Sequence, residues 1–187
     1  MLDTIADSII ANATNEFMHP FQNYTIIKYD ASLVDAQVET PKFSEHSIKQ
    51  GDKTIFFGHY QIMRPIVTKT VVTDITTVAI PVYPTSPRYR AINFEAVAID
   101  KSLSDECNSG ALITEDGTVQ ALWLAFVGEE NRSYRTGLAI ESVLPILRQI
   151  QKGITPELRI LDIEVDIVSL SLARGMGVSP GKLSLIA

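Results

Sequence analysis

The chain has 187 residues, 45% of them hydrophobic, 16 Lys and Arg against 22 Asp and Glu, and a net charge of −6. That length holds one sizeable core, or one domain with a fragment of another, and the acidic balance without a Lys/Arg cluster excludes a surface able to neutralise a run of phosphates. The single cysteine, Cys107, excludes an internal disulfide framework and suits a reducing compartment. No apolar run reaches the roughly 18 residues of a membrane span, and the first residues lack the basic start and apolar centre of a signal peptide, so a soluble intracellular chain is expected.

Residues 1–35 read as strands closed by a tight turn. Asn23 to Tyr29 is rich in β-branched and aromatic residues, stops at Asp30-Ala31-Ser32, and reads as a central strand entered through the His19-Pro20 loop. Residues 36–50 are polar, hold Pro41, and read as a connection between two packed units. From Thr54 the strand signal is dense: 54–60, 65–77 and 77–83, separated by Gly, Pro and Asp-containing turns. Three prolines make 81–87 a loop. Another strand is expected over Ala91–Ile99, then an exposed polar loop over Lys101–Asn108. Strands resume at Leu112-Ile113, Val119–Val127 and Tyr134–Ile140. The Asp116-Gly117 pair marks a hairpin between apolar runs. The fold class is therefore mainly β, an antiparallel barrel or sandwich.

After Ala139 the period changes. Val143, Leu144, Ile146, Leu147 and Ile150 share one helical face, with Ser142 as a candidate cap, Pro145 within the first turn and Gly153 placed to end the helix. An apolar, strand-like Leu158–Val168 follows. There is no internal repeat and no low-complexity segment.

The stretch with chemical content is DECNSGALITEDG, 105–117, which holds Ser109 between Asn108 and Gly110. It is similar to the nucleophile motif of trypsin-like serine proteases, Gly-Asn/Asp-Ser-Gly-Gly-Pro followed by a strand, a Gly-containing turn and another strand. Four further segments resemble the HtrA/DegP branch of those proteases in the right order: Asn23–Asp30, Gly51-Asp52 with Phe57–Tyr60, Val67–Ile75, and Tyr134–Glu141 ahead of the helix. The likeness is closest to the fungal nuclear members described as pro-apoptotic, and it covers nearly the whole chain.

That resemblance implies a trypsin-like antiparallel β-barrel. Residues 1–35 would be a remnant of a first barrel, 36–153 a second barrel with its C-terminal helix, and 154–187 the start of a PDZ-like domain, too short for a complete one. It implies a serine endopeptidase family, peptide or protein substrates, a nuclear location and no cofactor. Ser109 takes the nucleophile position, Asn23 that of the triad aspartate, and Cys107, Asn108 and Ser109 that of the oxyanion-hole turn. The departures are Asn23 for aspartate, Cys107 for the opening glycine, and Ala111-Leu112 for Gly-Pro. They match the second, degenerate half of the two-half fungal proteins.

A triad needs a base within reach of the serine and a carboxylate holding that base. His19, His46 and His59 all lie outside the segment from which the family's histidine comes. Asn23 cannot carry the charge that stabilises an imidazolium, a loss that costs roughly 10⁴ in trypsin-type turnover. Asp105 and Glu106 raise rather than lower the pKa of a nearby thiol, so Cys107 reads as inert. The three histidines and Cys107 show no short metal-ligand spacing. The expected function is thus a protease-like domain inactive by itself, with a structural or peptide-contacting role. The alternatives are an endopeptidase using Ser109 with partners outside this chain, and a scaffold for homo-oligomer assembly.

Overall fold

The computed structural model describes residues 2–5, 9–34, 38–60, 65–80, 92–100, 103, 107–127, 133–159, 163 and 168–179. Among the described residues ten strands fall into two sheets. The first has the order β1-β2-β3, from β1 (Leu2–Ile5), β2 (Ile9–Met18) and β3 (Thr25–Tyr29), all antiparallel. The expected central strand is therefore an edge strand. The ten-residue β2, with its threonine and asparagines between apolar positions, takes the middle because only it is long enough to pair on both sides.

The second sheet contains β4 (Lys53–Tyr60), β5 (Pro65–Val71), β6 (Asp74–Ile80), β7 (Ile92–Ala98), β8 (Cys107–Ile113), β9 (Val119–Val127) and β10 (Ser133–Ala139). Its order is β5-β4-β8-β9-β10-β7-β6, antiparallel at every step. The two end strands, β5 and β6, are consecutive in the chain, joined only by Val72-Thr73. At that corner Val72 N–H donates to the Asp52 carbonyl ahead of β4 at 2.9 Å, and Thr73 N–H donates to the Ala98 carbonyl ending β7, also at 2.9 Å. One bent segment thus ties both margins of the sheet, which rolls into a barrel and leaves few free edge groups.

Cross-strand register sorts the side chains into an inner and an outer set. Inside, Phe56, Leu112 and Ala121 lie in one row, and Gly58, Gly110, Trp123 and Gly137 in the next. Phe56, Val72, Val97, Cys107, Leu112, Ala121 and Trp123 form the barrel core. Trp123 is 1% exposed and meets Phe56 edge to face at 5.7 Å between ring centroids. Over Gly58 and Gly110 the nearest side chain is the Phe56 ring, and over Gly137 it is Val97, so the row has no room for further side chains at the three glycines.

The outer cluster joins Phe94, Phe126, Leu138 and Ile80 of the barrel to Tyr24 of the N-terminal segment, with Phe17, Phe21 and Ile26 packed against it. It also includes the apolar face of α1 (Ile140–Gln151), namely Ile140, Val143, Leu144 and Ile146. The helix begins at Ile140 directly from β10, without a side-chain cap, so Ser142 is not its cap. Burial of Leu138 and Ile140 on the barrel carries the chain straight into the helix, and packing outweighs the capping preference. Pro145 sits one turn later than expected, beyond the four N–H groups that lack an acceptor, and costs one backbone bond. Gly153 ends the helix as expected, at φ +71°, with its own N–H and that of Ile154 bonded back to Ile150 and Gln149.

The turn expected at 115–117 is present, with Gly117 at φ +81°, and the Asp30 turn is a short 3₁₀ segment capped by the Asp30 carboxylate. The proline loop 81–87 lies outside the described residues, as does most of the strand expected over 158–168. Beyond α1 the described residues contain the short helix α2 (Leu170–Gly175). Among the described residues no helix is long and apolar enough to cross a membrane.

Candidate functional site

Ser109 does not stand in a loop. β8 starts at Cys107, five residues before the strand expected at Leu112, and Ser109 lies within it, exposed, with His59 of β4 as its cross-strand partner. The register slips between His59 and Tyr60, which face Ser109 and Cys107, so Asn108 is the extra residue of a β-bulge. The bulge explains a parity that sequence alternation hides. Cys107 and Leu112 both point into the barrel although five residues separate them.

Cys107 belongs to the core rather than to an exposed loop. It is 0% exposed, and its carbonyl accepts the Trp123 indole N–H at 3.1 Å. The residue lies within the barrel core. Ellman's reagent is expected to leave Cys107 unmodified in the native chain and to titrate one thiol after unfolding in guanidinium; fast native reaction would contradict this burial.

Asn108 is exposed, and its Oδ1 accepts from Arg135 Nε at 2.8 Å. Arg135, on β10, is Cα partner of Ala125 on β9, so its side chain reaches past β9 to hold the bulge. The carbonyl of that same Ala125 accepts from the Asn23 amide Nδ2 at 2.5 Å. Asn23, Ala125, Arg135, Asn108 and Ser109 are thus joined end to end at one rim of the barrel, across four elements. Nothing in the spacing of Arg135 marked it, because the link needs β8, β9 and β10 side by side.

Asn23 has φ +49°, the only described non-glycine residue in the left-handed region. Asparagine tolerates that conformation, and its amide can donate where a carboxylate could only accept. The side chain therefore fastens the N-terminal segment to β9. An aspartate in the same pose would set a negative charge against a carbonyl oxygen.

The three histidines separate in the structure. His19 caps its own turn: Nδ1 accepts the N–H groups of Phe21 at 3.2 Å and Gln22 at 3.0 Å, and its backbone N–H donates to the Tyr24 carbonyl at 3.0 Å. Its ring lies 5.1 Å from that of Tyr24 and 6.0 Å from that of Phe17. Nδ1 is committed as an acceptor, which puts the proton of the neutral ring on Nε2. Burial lowers the His19 pKa from its ordinary 6.5, and burial pushes the Tyr24 phenol up to about 12. His46 lies on the exposed connector, where its backbone N–H donates to Ser44 Oγ and its carbonyl accepts from the same hydroxyl. His59 alone is brought beside Ser109.

The His19 shift has a sign in stability. A folded-state pKa below the unfolded value means that the unfolded chain binds the proton more readily, so the contribution is whole above about pH 6.5 and fades as pH falls through the lowered folded value. Protonation would also turn Nδ1 into a donor facing two donors. The N-terminal sheet is expected to loosen on acidification below about pH 6.5, read as a falling midpoint in thermal melts, and His19→Asn should flatten that dependence.

No family model matches the chain. It is 55% identical over 181 residues to the pro-apoptotic serine protease NMA111 of Phaeosphaeria nodorum, a match covering 94% of this chain and 18% of that protein. To the protein of the same name in Coccidioides immitis it is 52% identical over 190 residues, covering 98% of this chain and 18% of the relative. The chain thus spans about a fifth of the length of these curated relatives. In structure it is similar to the Rv3671c protease of M. tuberculosis in its active form, at TM-score 0.59 and 16% identity, over 84% of this chain and 65% of that one. The same protease in an inactive form gives TM-score 0.53 over 78% of this chain and 70% of the other.

Proposed function

Since this chain belongs to the fungal HtrA-like serine protease family and has the mainly β fold of trypsin-like protease domains, we propose that it is the second, degenerate protease-like half of such a protein. In this reading residues 1–35 are the remnant of a first barrel, 36–153 the second barrel with its helix, and 154–187 the opening of a PDZ-like domain. The half does not hydrolyse peptides by itself. It serves as a structural or peptide-contacting platform in a nuclear protease.

The observation that carries this reading is the Asn23 side chain. At the position the resemblance gives to the triad aspartate, an amide donates to the Ala125 carbonyl, so the residue fastens two segments and offers no carboxylate to a base. The surroundings of Ser109 agree with it. Cys107 and Ser109 both lie opposite β4 residues in a strand ladder, whereas an oxyanion hole needs N–H groups converging on an open point.

Purified chain incubated with casein and with quenched fluorescent peptides is expected to cleave no faster than its Ser109→Ala variant. Serine-dependent turnover would overturn the reading. Asn23→Asp is expected to bring no cleavage and to lower stability by about 1 kcal/mol, the worth of the exposed amide bond it breaks.

A second reading draws on the exposure of Ser109. There the hydroxyl is open to a histidine and an aspartate supplied from outside this chain, and the active unit is an endopeptidase. A longer protein that cleaves casein, and stops on Ser109→Ala, would support it.

A further inference from the structure

We propose that β5 is a docking edge for an extended acidic peptide, which adds to the barrel as a further antiparallel strand with a carboxylate opposite Lys69. The inference rests on the platform reading above, locating the face that a peptide contacts, and its test is separate from that of turnover.

The few edge groups that the rolled sheet leaves free include a row along β5. This strand ends the strand order, with β4 as its one neighbour among the described strands. Val72, the next residue, turns both of its polar groups to the β4 side: its N–H donates to the Asp52 carbonyl at 2.9 Å, and its carbonyl accepts from the Gly51 N–H at 2.8 Å. Backbone groups alternate sides along a strand, and the register runs unbroken from Lys53 with Val71 to His59 with Pro65. Ile66, Thr68 and Thr70 thus bond to β4. The N–H and carbonyl groups of Val67, Lys69 and Val71 face outward, without a partner among the described residues. Pro65 falls on the same open side, where its missing N–H costs no bond.

A lysine in an edge strand ordinarily guards it against such addition. Lys69 is drawn away from that duty: its ammonium reaches across β4 to the Glu115 carboxylate, just beyond the end of β8, at 2.7 Å. The outer face beside the edge is apolar, with Val67 64%, Val71 43% and the neighbouring Phe57 45% exposed. Between Lys53 and the Lys69–Glu115 bridge lies a hollow of about 600 Å³, lined also by Ile55 and Val71. A long apolar side chain placed opposite Val71 reaches it. Charge selects the occupant. Two ammonium groups line the hollow against one carboxylate, and Lys53 has no ion-pair partner among the described residues. A second copy of this chain fits worse, because two-fold pairing of β5 with itself sets the two Lys69 side chains directly opposite or diagonal to each other, a like-charge contact that costs stability. In an added peptide, Glu at that place meets Lys69, and apolar residues two positions to either side meet Val67 and Val71.

The test uses the full chain and the fluorescein-labelled peptide Ser-Phe-Thr-Glu-Thr-Val-Ser, read by fluorescence anisotropy and by amide hydrogen exchange in NMR. Saturable binding is expected, with exchange of the Val67, Lys69 and Val71 amides slowed about tenfold or more and that of Thr68 and Thr70 unchanged. The peptide with Lys in place of Glu should bind about tenfold more weakly to the parent chain and recover on Lys69→Glu. Val67→Pro removes an N–H that bonds nothing within the chain, so it should keep the melting temperature and weaken binding about tenfold or more; a peptide N-methylated at its Glu serves if the variant melts lower. Absence of saturation, equal affinity for the two peptides, or undiminished binding after Val67→Pro or N-methylation would each overturn the assignment. So would slow exchange of the three amides in a peptide-free chain that light scattering shows to be a dimer. An unbound peptide leaves the inactive-protease reading standing, whereas serine-dependent peptide cleavage sinks that reading and not this one.

Discussion

Replacing Trp123 by alanine is expected to remove about 3–5 kcal/mol of stability, a large part of the roughly 5–15 kcal/mol that holds a domain folded. The reason lies in the row that Trp123 shares with Gly58, Gly110 and Gly137. Its immediate partners on the two neighbouring strands, Gly110 and Gly137, carry no side chain that could turn to refill the space. Loss of the indole also strands Phe56, whose ring meets it edge to face, and frees the Cys107 carbonyl at the start of the bulge that holds Ser109. Urea denaturation followed by far-UV circular dichroism measures the effect, because Trp123 is the chain's single tryptophan and its fluorescence goes with it. Trp123→Phe separates the parts: it keeps most of the volume, loses the indole bond, and should cost only about 1–2 kcal/mol. A Trp123→Ala midpoint within error of the parent would show that the barrel interior is not organised around this residue.

The second large effect is expected at Gly110. A methyl group there would run into the Phe57 carbonyl oxygen, come within 2.9 Å of the Gly58 Cα, and lie 3.2 Å from the Phe56 ring. Two of these obstacles are backbone of the paired strand β4, which cannot give way without breaking the ladder between His59 and Ser109. Gly110→Ala is therefore expected at the upper end of the roughly 1–3 kcal/mol cost of overpacking, or above it. Gly175, at the end of α2, is the control. A methyl group there meets nothing within 4 Å, and Gly175→Ala should leave the melting temperature unchanged or slightly raised. Equal stability of the two variants would mean that the close approach of β4 and β8 is not a constraint. The glycine after Ser109 is thus a packing requirement here, whatever its part in the motif.

Both effects bear on the candidate site through one piece of backbone. The bulge at Asn108 is held from below by the Trp123 bond to Cys107 and from the side by Arg135. It places Ser109 on the outer face beside His59 instead of at the tip of a turn. Cysteine in place of the motif's opening glycine fits the same picture, since its side chain is part of the core and pulls the chain into the strand.

Much of this protein could be read from residue pattern alone, and the reasons are local. Alternation of apolar and polar residues, with Gly, Pro and Asp-Gly at the turns, is enough to mark β4, β7, β9 and β10, because strand side chains repeat every second residue whatever the strands pair with. The change to helical spacing after Ala139 and the glycine at 153 likewise belong to single segments. The order of five segments around DECNSGALITEDG pointed to the family, and the fungal relatives bear that out.

What tertiary structure decided is whatever depends on two segments at once. The middle place of β2 in its sheet follows from which strand can pair twice, and the uncapped start of α1 from burial against the barrel. The inward thiol of Cys107 follows from a bulge that shifts parity by one. Asn23 as a donor to Ala125, Arg135 as the clamp on Asn108, and His59 facing Ser109 across 50 residues of chain are matters of register. Register is set by the barrel's closure at Val72-Thr73 and by the space around one tryptophan, and neither is a property of any single stretch of sequence.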